Sequence, residues 1–183
     1  MTKSSRVKRS GQLLLVVTIV ITLGVVSVAA QSTEPKTVAD FFRIVPERYI
    51  GFDRDFREGL LRDERRGAVI DIPNGYISWD ASDNPEEFEF AIFKKSNGKY
   101  LVAIDVDYDS FFPNTGRLYL LSYERGKWRD VTRTTLPVRH DKRLTYKLPR
   151  EGRTIEVTNQ HGRRVYSLTW ANDRFSVKRP PRG

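Results

Sequence analysis

The chain contains no cysteine and only two histidines in 183 residues. Without cysteine there are no disulfides, no thiol nucleophile and no cysteine-ligated metal, so stability has to come from apolar burial. Lipid attachment at a processed N-terminal cysteine is excluded on the same ground. No GxxxxGK[ST] or GxGxxG pattern occurs, so neither common glycine-rich phosphate cradle is encoded. HExxH and Gly-x-Ser-x-Gly are missing as well. His140 and His161 fall in connecting segments. His140-Asp141 has the makings of an acid/base pair, but nothing accompanies it, and both histidines read as surface residues. No cofactor is expected.

Long apolar runs are scarce too. The run from Leu13 to Val28 follows Lys3, Arg6, Lys8 and Arg9 and precedes Val28-Ala29-Ala30 and Gln31. A positive start, an apolar middle and small residues before a polar one make the pattern of a cleaved secretory signal. The run falls short of the about 20 apolar residues that a spanning helix needs. Residues 1–30 are therefore read as a signal peptide cleaved after Ala30. The mature chain is expected to be exported, periplasmic or extracellular, with no stable membrane insertion.

Charge is unevenly spread. The formal net charge is +9, and residues 1–30 carry four Lys/Arg and no acid. Residues 31–115 hold 11 Lys/Arg against 17 Asp/Glu, whereas residues 116–183 hold 17 against 6. An acidic first half and a basic second half follow. The basic half either simply solvates the surface or offers a face to an anionic partner.

Residues 31–36 read as a linker and 37–178 as a single β-rich domain with N-terminal helices; 179–183 is a basic tail. Thr37 is a good N-cap with Asp40 three residues on, opening a helix to about Val45 that would bury Val38, Phe41 and Phe42. Pro46 starts a second turn, which Gly51 ends. Asp53 caps a third helix, about Arg54 to Arg66, with Phe56, Leu60 and Leu61 as its apolar stripe and Arg57 among its wet residues.

From Ala68 the period becomes two. The clearest stretch is Glu87–Val106, in which Phe88, Phe90 and Ile92 alternate with Glu87, Glu89 and Ala91. Asn97-Gly98 supplies a tight turn, and Tyr100, Val102, Ile104 and Val106 resume the alternation. Four similar hairpins are read around Pro73-Asn74-Gly75, Arg125-Gly126, Arg150-Glu151-Gly152 and Asn172-Asp173. The fold class is α+β, mainly β: short N-terminal helices, then an antiparallel β-meander of about five hairpins. About ten strands rarely stay in one open sheet, so a barrel or a two-layer sheet is expected, with one buried and one wet face. On that reading Glu89 is wet, and Glu89→Ala should change stability by less than about 0.5 kcal/mol. Gly98, Gly126 and Gly152 recur in similar turns, which either marks a duplication or reflects shared turn chemistry.

Two sets of residues carry candidate chemistry. Asp105, Asp107 and Asp109 have the alternate spacing of a calcium loop. Ser110 stands where such a loop needs glycine and Gly116 where it needs glutamate. In a strand, alternate carboxylates would lie about 6.6 Å apart. Arg143, Lys147, Arg163 and Arg164 are the candidate binding residues, and changing all four to glutamate should abolish binding to a polyanion. The expected function is a non-catalytic binding or structural module that meets an anionic polymer or protein of the cell envelope. Nucleic acid is not the expected partner, because the aromatics of the basic half sit on apolar strand faces. The competing reading is an envelope-polymer hydrolase using carboxylates between Asp80 and Asp109. Two carboxyls converging in a cleft would favour it.

Overall fold

The structure, a computed structural model, describes residues 34–62, 67–80, 87–107 and 117–181. The signal reading of residues 1–30, the acidic loop 81–86 and Asp109 lie outside these. The described residues belong to one compact unit, Glu34–Gly183.

Helix α1 (Val38–Ile44) starts where the capping signal places it. Thr37 Oγ1 accepts from the Asp40 N–H at 3.2 Å, and the Asp40 carboxylate accepts from the Thr37 N–H at 2.9 Å. A single 3-10 turn, Glu47–Tyr49, follows. Helix α2 (Arg54–Leu61) is capped by Asp53, whose Oδ1 accepts from the Phe56 N–H at 2.7 Å. It ends at Leu61 with Arg62 as C-cap, before the expected Arg66. Arg57 is not wet: it is buried, and its Nη1 donates to the carbonyls of Phe42 (2.8 Å) and Val45 (2.7 Å). A guanidinium can cap several orphan carbonyls at a helix end, and here it joins α2 to the end of α1.

Ten strands follow: β1 (Ala68–Asp71), β2 (Tyr76–Asp80), β3 (Glu87–Lys94), β4 (Tyr100–Asp107), β5 (Arg117–Glu124), β6 (Lys127–Asp130), β7 (Leu144–Lys147), β8 (Thr154–Asn159), β9 (Arg164–Ala171) and β10 (Arg174–Lys178). They form two antiparallel sheets, β1-β2-β3-β4-β5-β6 and β10-β9-β8-β7, and neither closes on itself. All five hairpins stand where turn chemistry places them. Arg125 and Gly126 (φ 51° and 76°) make the two-residue turn of the third, and Asn172 and Asp173 (φ 50° and 61°) that of the fifth. At the first, Gly75 is required twice over: its φ is +71°, and a Cβ there would meet Ile92 Cγ1 at 2.7 Å. Gly98, Gly126 and Gly152 share positive φ but sit in turns 95–99, 125–126 and 148–153, which differ in length.

The six-stranded sheet has no wet face at its centre, against the one-sided expectation. One face carries Ile77, Phe88, Phe90, Val102 and Ile104 against Phe42, Ile50 and Leu60 of the helical segment. The other carries Tyr76, Ala91, Phe93, Leu101 and Ala103, which share a cluster with Tyr146, Ile155, Leu168 and Trp170 of the four-stranded sheet. Phe93 meets Trp170 and Phe175 with ring centroids 5.8 and 5.3 Å apart. The alanines hide this second face in the sequence, because a small residue between large ones reads as neutral. Between the sheets the chain passes through α3 (Thr132–Thr135), a single turn with no sequence signal. Its buried Thr132 accepts from the Leu120 N–H at 2.8 Å and donates to Asp130 Oδ1 at 2.6 Å.

Candidate functional site

A meander of hairpins sorts its connections. The turns 72–75, 95–99 and 125–126 fall at one end of the six-stranded sheet, and the β2–β3 and β4–β5 connections at the other. Contacts between Arg150 and Asp71 (2.9 Å) and between Ser96 and Asp173 bring the turns 148–153 and 172–173 of the second sheet to the first end. The described surface thus has a hairpin-tip end and a connection end.

At the connection end lies a cavity of about 520 Å³, lined among others by Ser78, Glu87, Glu89, Asp105, Thr145 and Lys147. Register places Glu89 opposite both Ser78 and Asp105. Ser78, Glu89 and Asp105 alternate with residues on the helix-facing side, so all three project toward the second sheet. The carboxylate of Glu89 is committed: Oε1 accepts from the Tyr76 hydroxyl at 2.9 Å, and Oε2 accepts from the Leu148 N–H. Burial pushes its carboxyl above the usual range, while the Leu148 and Tyr76 hydrogen bonds and the Lys147 charge pull the other way. Two carboxyls do meet in a cleft, which is what a hydrolase would need. A general acid or nucleophile must also present an oxygen to substrate. Both Glu89 oxygens are spent, Oε1 on Tyr76 of the same sheet and Oε2 on the Leu148 N–H beside the second sheet, so the arrangement acts first as a structural tie.

Asp105 and Asp107 both lie in β4 and keep their extended spacing. Among the described residues no group of three His, Asp or Glu is placed to hold a metal ion. His161 is exposed in the β8–β9 turn, but His140 is not a surface histidine. It is half-buried and stacks on Tyr146, with centroids 5.2 Å apart at 17°. Burial lowers its pKa, against the nearby Asp141.

The four candidate cations do not form one patch. Leu144 pairs with Asn159, and the Asn159 N–H donates to the Arg163 carbonyl at 3.0 Å, so Arg143, Arg163 and Arg164 stand at the same end of the four-stranded sheet. Lys147 pairs with Glu156 at the other end of β7, about 10 Å from there by strand rise, which exceeds the screening length of about 8 Å. Arg143 is itself held by Asp141, through Nε at 3.0 Å and Nη2 at 2.8 Å, and this pairing lowers the Asp141 pKa to about 2. Lys178 pairs with Ser167, which pairs with Glu156, so it stands in the same row across the sheet as Lys147 and does not join that end either.

No helix among the described residues is long and apolar enough to cross a membrane. Comparison with known proteins finds no matching family model, no similar curated protein and no similar solved structure.

Proposed function

We propose that this chain is an exported, non-catalytic binding module that contacts an anionic polymer of the cell envelope through the basic end of its four-stranded sheet, the two sheets and the helices stacking as layers behind it. One observation carries the reading. Arg143, Arg163 and Arg164 come from two separate chain segments and stand at one end, where Asp141 pairs with Arg143. Three strands, β7 to β9, at a spacing of about 4.8 Å spread these cations over roughly 10 Å, enough to meet more than one charge of an extended polymer. Exposed cations steer and retain such a ligand in a salt-dependent way.

The test is retention on heparin resin. The parent is expected to bind and to elute earlier as salt rises; Arg143→Glu/Arg163→Glu/Arg164→Glu should elute at clearly lower salt. Identical elution of parent and triple variant would overturn the reading. The exported state has its own check: intact mass of the mature protein should correspond to a chain beginning at Gln31, and a mature species retaining Met1 would refute cleavage.

A further inference from the structure

The hairpin-tip end carries a second, separate feature. Three adjoining hollows of about 390, 300 and 280 Å³ lie there, and all three are lined by Lys94. Lys36 and Tyr100 are common to the first two, and Arg153 to the last two, so the hollows form one trough. Lys95 and Lys99 stand on its wall. Lys99 is paired with Glu124 at 2.9 Å, and the Asp173 carboxylate is occupied by the N–H and hydroxyl of Ser96. That leaves Lys36, Lys94, Lys95 and Arg153 as cations without an ion pair among the described residues, with Glu34 as the remaining acid of the lining.

The floor of the first hollow is aromatic. Phe41 is buried, and Tyr100 and Tyr123 pack edge-on against it with centroids 5.4 and 6.2 Å apart, which leaves both tyrosines half-exposed. Between the cations the trough presents the amides of Asn97 and Asn172, while the Asn74 amide donates to Asp71 and the Ser96 hydroxyl to Asp173. Apolar ring surface, amides and spaced positive charge each match a part of one ligand chemistry. A sugar ring offers a C–H face to an aromatic side chain and hydroxyls to amides. A carboxylate or sulfate on that ring meets a lysine or arginine. A phosphodiester chain would supply the charge but few hydroxyls for the amides.

From this juxtaposition we infer that the hairpin-tip trough is a binding site for an acidic saccharide, one ring seated over Tyr100 and Tyr123 and its neighbours running past Lys94 toward Arg153. The site shares no residue with the basic end of the four-stranded sheet and stands whether or not that end binds polymer.

Calorimetric titration with a galacturonate hexamer, at low salt, tests it. The full mature chain should bind. Lys94→Glu/Arg153→Glu should weaken binding at least tenfold, Lys94→Arg should retain it, and Arg143→Glu/Arg163→Glu/Arg164→Glu should bind like the parent. Lys94 and Arg153 are exposed, and their structural hydrogen bonds use backbone carbonyls, so the double variant keeps the fold; circular dichroism verifies this. Unchanged affinity in the double variant, or binding of a single-stranded DNA 12-mer with none of the hexamer, would overturn the inference.

Discussion

Phe90→Ala should cost about 3–5 kcal/mol of stability, because the site loses the transfer energy of a whole ring and leaves a void that packed neighbours close only in part. Phe90 is 0% exposed and is flanked in register by Ile77 and Ile104, both also fully buried. Phe42 of α1 meets it edge-on at 5.4 Å. The void would therefore open between the helix and the centre of the sheet, where three elements are held by one another. Ile44→Ala, on the exposed side of the same helix, should change stability by no more than about 0.5 kcal/mol. Urea melts of the two variants check the pair. Similar midpoints would mean that α1 does not cover this face.

Glu89→Ala is the second large effect, and it reverses what alternation alone implies. Removing the carboxylate leaves the Leu148 N–H and the Tyr76 O–H without their acceptor at the junction of the two sheets. An orphaned buried donor costs about 1–3 kcal/mol, so a loss of about 2–3 kcal/mol is expected after crediting relief of the buried charge. Glu89→Gln should lose much less, since its carbonyl can still accept from Leu148 and its amide can donate to the tyrosine oxygen. The pH dependence has a defined sign. The folded-state pKa is raised by burial, so the stabilisation linked to this group is complete below the unfolded carboxyl's pKa and is lost as pH rises through the folded value. Glutamine has no such loss. The stability of Glu89→Gln relative to the parent should therefore improve as pH rises from about 4 to neutrality. Melts at both pH values settle it; a flat difference, or an alanine variant within 0.5 kcal/mol of the parent, would remove Glu89 from the tie between the sheets.

What the sequence determined by itself was local. The Thr37–Asp40 capping box, the Asp53 cap, the five turns and the ten strands follow from hydrogen bonds and backbone angles within a few residues, and each element starts within a residue or two of the place its signals mark. The buried side of each hairpin was legible wherever large apolar residues alternate with charged ones, as at Tyr146, Ile155, Val157 and Leu168. What covers the other side was not, because Ala91 and Ala103 carry no periodic signal while a second sheet packs on them. For the same reason Arg57 and Glu89 read as wet: a charged side chain looks solvated until the carbonyls or donors that satisfy it arrive from distant segments. Charge shows the contrast most plainly. Along the chain it divides into an acidic and a basic half, yet Lys94 of the acidic half joins Arg153 of the basic one at the hairpin tips, and Lys147 of the basic half lines a cavity with Glu89 of the acidic one. Antiparallel folding alternates the ends to which successive turns are delivered, so only the pairing of strands decides which charges meet.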